Sequence, residues 1–359
     1  MEYVKLEEIC TIVSGGTPSR SKPNYWNNGN IPWIKIKDMK SKYIDSAEEF
    51  ITEEGLNNSS TKMLKRDTLL YSIFATLGEV GILKIDACTN QAIAGLSLKE
   101  DSNILKEYLY YYLKSKKKDV NNLGRGVAQN NINLSLLRKF KIPVIPLRQQ
   151  KKIIEVLDNV SSTINNYERE LALLDELVKA RFVEMFGEIE DCDKWKSKIW
   201  NEVVTIQNGR DYKKVLVSDG GYPVVGTGGE IARSSGYLCP ENTIVVGRKG
   251  SINNPMLMRE KFWNVDTAFG VIPNSDYLHY QYFYYFCKFY NFMKLNKATT
   301  LPSTTKADLL KIRINIPPLE LQNQFASFVQ EIDKSRSRIQ KSLEASQELF
   351  DSLMQEYFG

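Results

Sequence analysis

Lys139-Phe-Lys-Ile-Pro-Val-Ile-Pro-Leu-Arg-Gln-Gln150 opens a block of 49 residues that closes on Phe186-Gly187. The block returns, without a gap and at a fixed offset of 172, as Lys311-Ile-Arg-Ile-Asn-Ile-Pro-Pro-Leu-Glu-Leu-Gln322, closing on Phe358-Gly359. Within the first copy, apolar or long side chains recur at Ile153, Leu157, Val160, Ile164, Tyr167, Leu171, Leu174, Val178, Arg181 and Met185. Steps of four and three alternate, which is the a/d seam of a heptad repeat. The second copy carries the same seam at Phe325, Val329, Ile332, Arg336, Ile339, Leu343, Ser346, Phe350, Leu353 and Tyr357. Pro146 and Pro318 sit just before the two runs, where proline can open a helix but cannot continue one backwards. Two long helices with matched seams in one chain predict that they pack on each other as a coiled coil.

The repetition reaches beyond the helices. Leu6–Gly15 matches Trp200–Gly209, with Glu8 opposite Glu202, Thr11 opposite Thr205 and Gly15 opposite Gly209. Tyr108–Lys114 matches Tyr282–Lys288; Leu77-Gly78 lies opposite Lys249-Gly250, and Gln91-Ala92 opposite Thr267-Ala268. A long period occurring twice is a tandem duplication, since solenoids need three or more short units. The expected organisation is a globular unit over residues 1–146, a helix over 147–187, a second globular unit over 188–317 and a second helix over 318–359. With 359 residues, 42% of them hydrophobic, the chain can build two sizeable cores. The expected class is α+β.

Local patterns fill in the units. Gly15–Asn24 is a turn-rich loop. Ile31–Lys37 alternates like a half-buried strand with Lys35 and Lys37 on one face, and Thr68–Phe74 and Val80–Ile85 read as strands. Tyr108–Lys118 reads as a helix, Leu134–Lys139 as another, and Phe140–Ile145 as a strand. The aromatic helices recur at equivalent places, which marks them as core and not as stacking platforms for single strands. Asp191–Lys198 is polar and charged, as a linker between the halves would be.

Charge is unevenly spread. The whole chain is +5, yet Gln150–Gly187 is −2 and Glu320–Gly359 is −3, leaving +10 on the rest. The globular parts therefore carry the positive charge that a phosphate backbone rewards. Five scattered cysteines with no CxxC pair point to a reducing compartment and against a disulfide framework or a zinc site. No secretion signal and no run of about 18 apolar residues is present, so a cytoplasmic protein is expected.

Catalytic motifs are missing. The single histidine, His279, falls within an aromatic helix and reads as a packing residue, with no Ser-His-Asp or Cys-His pattern around it. Gly226-Thr-Gly-Gly229 is an incomplete dinucleotide loop, and no Gly-Lys-Ser/Thr follows Gly15-Gly16. The Asn/Asp-Pro-Pro-Tyr loop with which amino-methyltransferases hold a flipped base is absent, and no carboxylates pair with histidine for a metal. A chain that binds but does not catalyse is expected.

Reading a duplex requires cations for phosphates and Arg, Lys, Gln or Asn on protruding loops for base edges. The candidates are Arg20, Lys22, Lys35, Lys37, Arg125, Gln129, Asn130 and Asn131 in the first unit. In the second they are Arg210, Lys213, Lys214, Arg233, Arg248 and Lys249. From Ile153 to Met185 a helix would run roughly 48 Å at 1.5 Å per residue, against about 34–36 Å for a turn of B-DNA. If the helices pair antiparallel, the halves are related by an approximate two-fold axis, as is the duplex.

Ser14-Gly-Gly-Thr-Pro-Ser-Arg20 with Tyr25-Trp26 and Ile31-Pro-Trp-Ile34, Ala75-Thr-Leu-Gly-Glu-Val-Gly81, Asn90-Gln-Ala-Ile-Ala94 and the proline-then-glutamine helix starts together resemble the specificity subunit of a type I restriction–modification enzyme. The resemblance covers essentially the whole chain. It implies two target-recognition domains that each read one half of a split, asymmetric duplex target, and helices that act as ruler and docking surface for two modification subunits. It further implies that S-adenosylmethionine, ATP and Mg belong to the modification and restriction subunits and that this chain binds none of them. The second unit departs from the pattern, with Asn208-Gly-Arg-Asp-Tyr212 for the Gly-Gly-Thr-Pro-Ser motif and Val246-Gly-Arg-Lys-Gly250 for Phe74-Ala-Thr-Leu-Gly78. The halves are therefore expected to read different sequences. The competing readings are the specificity module of a type I-like or type IIB system, a self-contained methyltransferase or nuclease, and a coiled-coil scaffold that binds only protein.

Overall fold

The computed structural model describes residues 2–124, 132–189, 194–297 and 300–359. Contacts divide the chain into two units. Unit 1 is Met1–Asn166 with Leu343–Gly359, and unit 2 is Tyr167–Ser342. The division falls inside both long helices and not at their ends, because each globular part packs on one half of each helix.

The central helix, Leu147–Phe186, and the C-terminal helix, Leu319–Phe358, are 40 residues each. Both start on the same device: Gln149 and Gln150 donate backbone N–H groups to Pro146 O, and Leu321 and Gln322 to Pro318 O. Gly187, at φ +86°, ends the first by donating to Val183 O, a conformation that glycine adopts without strain.

In unit 1 one sheet has the order Cys10–Ser14, Ile93–Leu98, Leu69–Ser72, Val80–Leu83, Tyr43–Ile44. A second has the order Glu49–Ile51, Ile31–Ile34, Cys88–Thr89, and Glu2–Lys5 pairs with Lys141–Val144. Unit 2 repeats the core of this connectivity with four strands in each sheet: Val204–Asn208, Ala268–Pro273, Thr243–Gly247, Met256–Met258 form one. Leu216–Val217, Gly229–Ser234, Tyr222–Gly226, Trp263–Asn264 form the other, and Ser197–Ile199 pairs with Arg313–Asn315. One parallel pairing corresponds, Trp33 with Cys88 and Val224 with Trp263, whereas the parallel pairing of Tyr43–Ile44 with Val80–Leu83 has no counterpart among the described residues of unit 2.

The duplication extends to single atoms. Glu8 and Glu202 accept the backbone N–H groups of Lys5 and Ile199 at the start of a short helix (3.0 and 3.3 Å). Leu6 N donates to Phe140 O, and Trp200 N to Ile312 O. Tyr108 and Tyr282 donate their hydroxyls to Pro143 O and Asn315 O. A Cβ on Gly15 would collide with Asn90 O, and one on Gly209 with Val265 O, so both positions need glycine for close backbone approach.

The aromatic helices, Lys106–Ser115 and Tyr280–Phe289, lie in the cores. In unit 1 Tyr108 and Tyr111 are buried with Leu6, Leu157, Phe350 and Phe358. In unit 2 Tyr282 and Phe283 are buried with Trp200, Phe182, Phe186, Phe325 and Val329. Within unit 2 the long helices run antiparallel: Phe186 meets Phe325 (5.4 Å), Arg181 lies over Phe328 and Arg336 pairs with Asp175. In unit 1, Tyr108 meets Phe358 and Tyr111 meets Phe350, with Asp158 accepting from the Tyr111 hydroxyl. Of the seam positions, Leu157, Ile164, Val178, Phe325, Val329 and Phe350 are buried, and Ile153, Val160, Leu171, Leu174, Ile332, Ile339, Leu343 and Leu353 are half-buried.

Two glutamines join helix to unit. Gln150, fully buried, donates from Nε2 to Asn103 O and Ile145 O and accepts Leu105 N–H at 2.8 Å. Gln322, equally buried, donates to Tyr277 O and Pro317 O and accepts His279 N–H at 2.7 Å. Each clamps the first turn of a long helix to the start of an aromatic helix.

Several expectations change. Ile31–Lys37 is strand only to Ile34; Ile36–Asp38 is a 3-10 turn, because Asp38 accepts the Lys35 N–H and bends the chain. The helix expected over Tyr108–Lys118 ends at Ser115 and a second runs Lys117–Gly124. His279 does not sit inside its helix; it caps it, with Nδ1 accepting Gln281 N–H at 3.2 Å. The linker over Asp191–Lys198 shrinks, since Ser197 and Lys198 belong to a strand; residues 190–193 lie outside the described residues.

Two outcomes follow for stability. Gln322→Leu leaves Tyr277 O, Pro317 O and His279 N–H buried without partners. It should cost about 2–4 kcal/mol in urea unfolding followed at Trp200, while Gln150→Leu weakens unit 1 and spares Trp200. Burial, aided by nearby Arg259, holds His279 below the ordinary imidazole value of 6.5. The folded state thus resists the proton that the unfolded chain accepts, so the contribution is present above 6.5 and lost as pH falls below it. Unit 2 should lose stability as pH falls below the ordinary imidazole value of 6.5, and His279→Asn, which keeps a capping acceptor, should remove that dependence.

Candidate nucleic-acid interface

In unit 1 the loop after the strand Cys10–Ser14 is held by backbone bonds from Gly15 N to Ile93 O and Gly16 N to Thr89 O. Trp33 Nε1 donates to Gly16 O and Trp26 Nε1 to Ser19 O, so two indoles brace the loop from beneath. Arg20 lies flat on Trp26, 3.6 Å from the ring centre, and donates to Glu49 at 2.5 Å. Its side chain remains 54% exposed, so a stacked guanidinium with free N–H groups faces solvent. Lys22, exposed beside it, donates to the Tyr25 hydroxyl.

Lys35 and Lys37 are less available than their alternation suggested. Lys35 is mostly buried and pairs with Glu49; Lys37 pairs with Glu48. Burial alone would raise the Glu49 carboxyl, but hydrogen bonds from Lys35 and Arg20 hold it below the ordinary carboxylate range, and Lys37 does the same for Glu48. A lysine so neutralised has little charge left for a phosphate. Arg125, Gln129, Asn130 and Asn131 lie outside the described residues; the chain resumes at Ile132, whose N–H meets Ile73 O.

The turn Phe74–Gly78 lies at the same end of the sheet. Phe74 is 46% exposed, and Ala75 takes φ +63°, a left-handed conformation costly for a residue with a Cβ. Neither residue carries a charge or amide that would mark it as a contact in the sequence, although Ala75 opens the motif Ala75–Gly81.

In unit 2 the corresponding turn carries cations. Gly250 takes φ +80°, as Gly78 takes φ +79°. Arg248 and Lys249 donate backbone N–H groups to Thr267 O, and Arg210 to Asn264 O, which brings these three cations to one short segment. Thr304 N, equivalent to Ile132 N, donates to Arg248 O. Arg210, Arg248 and Lys249 are exposed, and none pairs with a carboxylate among the described residues.

Lys213 and Lys214 are exposed on the 3-10 turn Lys213–Val215, which leads into the strand Leu216–Val217. That strand places Val217 opposite Arg233, so these three cations group on the second sheet. Arg233 is half-buried and paired with Glu230 at 2.7 Å. The geometry offers unneutralised cations and a stacked arginine on short, braced loops, the equipment for phosphate and base-edge contacts. Among the described residues no group of three or more His, Cys, Asp or Glu side chains stands where a metal would be held. No described helix is long and apolar enough to cross a membrane.

Comparison with known proteins gives the same direction. The family "Type I restriction modification DNA specificity domain" matches residues 1–175 and 192–347. The EcoR124I/EcoR124II specificity subunit of Escherichia coli is 34% identical over 172 residues, covering 46% of this chain and 42% of that one. The MjaIX specificity subunit of Methanocaldococcus jannaschii is 24% identical over 98% of this chain and 90% of its own. In fold, the chain resembles the crystal structure of a type I system S subunit from Mycoplasma genitalium, with a TM-score of 0.60 at 16% identity, covering 100% of this chain and 96% of that one. The chain is a member of the type I restriction modification DNA specificity family, whose domain it carries twice.

Proposed function

We propose that this chain is the non-catalytic DNA-reading subunit of a type I restriction–modification complex, and that each unit reads one half of a bipartite, asymmetric double-stranded target. The observation that carries this reading is one β-framework built twice with different chemistry on the equivalent turn. Phe74–Gly78 is uncharged and strained, whereas Arg248-Lys249-Gly250 is cationic. A duplicated frame supplies the same docking geometry to each half-target, and unlike turns supply different sequence preferences.

The long helices serve as spacer and as docking surface for two modification subunits, with the restriction subunits joining the complex. Adenine methylation, with its S-adenosylmethionine, and ATP-driven cleavage, with Mg, reside in those partners. In support, the only histidine is engaged as a helix cap. By this reading the complex works in the cytoplasm, where its DNA is.

Changing Arg248 and Lys249 together to Ala should weaken binding of the assembled complex to its target about 10–100-fold, and lower the slope of log affinity against log salt by roughly 2. Recognition of the first half should be unaltered. A loss spread evenly over non-target DNA, with no change at the second half-target, would remove base reading from this turn. Insertion of four residues within 150–184 should lengthen the spacer that the complex accepts; an unchanged spacer would remove the ruler.

A further inference from the structure

A polar cleft of about 390 Å³ opens within unit 2, lined by Asp175, Arg259, Gln281, Lys288, Asp333 and Arg336. Gln281 and Lys288 stand two turns apart on one face of the aromatic helix. Gln281 is fully buried, yet neither Oε1 nor Nε2 has a hydrogen-bond partner among the described residues. Gln150 and Gln322, as deeply buried, each make three hydrogen bonds. A carboxamide buried with both ends unsatisfied is costly and calls for an external partner. That partner must offer a donor and an acceptor side by side, as a peptide group does.

The charges narrow its class. Asp175 is shared by Arg336 at 2.9 Å and Lys288 at 3.4 Å, while Arg259 reaches Asp333 only at 3.9 Å. Three cations against two carboxylates leave one positive charge in excess, centred on Arg259, which is held by the Tyr280 hydroxyl at 2.9 Å but has no carboxylate closer than Asp333 among the described residues. A nucleic-acid backbone would bring its phosphates against both carboxylates. A segment with one carboxylate beside a peptide group fits better.

We propose that this cleft receives an acidic peptide segment of a partner protein, its peptide group pairing with the Gln281 carboxamide and its carboxylate with Arg259. The proposal rests on the reading above only for the identity of the partner, the modification subunit.

The test titrates the full chain, labelled with 15N at glutamine side chains, with the N-methylamide of N-acetyl-aspartate. One carboxamide pair should shift saturably in the wild type and be missing in Gln281→Met. The asparagine analogue, and the half-exposed variant Arg259→Gln, should bind at least tenfold more weakly. No shift, equal binding of the neutral analogue, or tighter binding of adenosine monophosphate overturns the proposal. With the modification subunit, calorimetry should find affinity reduced at least tenfold by Gln281→Met and by Arg259→Gln, and equal affinity overturns the docking. Failure of the wild type itself to associate would contradict the proposed function, and the peptide titration would still decide the cleft.

Discussion

The buried glutamine at the first turn of each long helix is the constraint on which the rest depends. Gln150 and Gln322 each tie three backbone groups that no strand or helix satisfies: a carbonyl before the long helix, a carbonyl before the aromatic helix and the N–H at its cap. With those bonds made, the aromatic helix is fixed against the long helix, and its tyrosines and phenylalanines can fill the core. The strand pair that ends each unit is then anchored, through Tyr108 to Pro143 and through Tyr282 to Asn315. A purely apolar residue would fill the same space but leave three buried polar groups unpaired.

A frame fixed in this way can tolerate change at its tips. The turn at Gly78 and the turn at Gly250 share a left-handed glycine, but one presents Phe74 and Ala75 and the other Arg248 and Lys249. Cations on the frame itself, such as Lys35 and Lys37, are neutralised by Glu49 and Glu48, whereas Arg248 and Lys249 on the turn meet no carboxylate among the described residues. Charge is thus spent where structure needs it and left available where a polyanion would arrive. Arg20 combines both states, since stacking on Trp26 fixes its plane while its edge stays exposed.

Much of this was legible in the residues. The offset of 172 foretold the paired helices, and the seam positions from Ile153 to Leu353 are those that the helices bury or half-bury. The matched Glu8 and Glu202 foretold a shared local motif, though its nature as a backbone cap needed coordinates. Side-chain pairing was not legible: alternation put Lys35 and Lys37 on one face, but Glu49, which opens a strand more than ten residues on, and Glu48 just before it arrive there to pair with them. The histidine was misplaced by one residue in effect, because an aromatic pattern gives no cap signal when the capping group is an imidazole. The orphaned amide of Gln281 could not be foreseen, since an unsatisfied group is a property of three-dimensional surroundings alone.

The central claim is that two unlike readers on one repeated frame define a split DNA target. Its most direct test is the map of N6-methyladenine, read by single-molecule sequencing, in a methylation-free host expressing this chain with its neighbouring modification subunit. The account predicts one bipartite asymmetric motif with a methylated adenine in each half, lost when either protein is omitted. A single continuous motif, a symmetric one, or no methylation from a soluble and associated pair would contradict it.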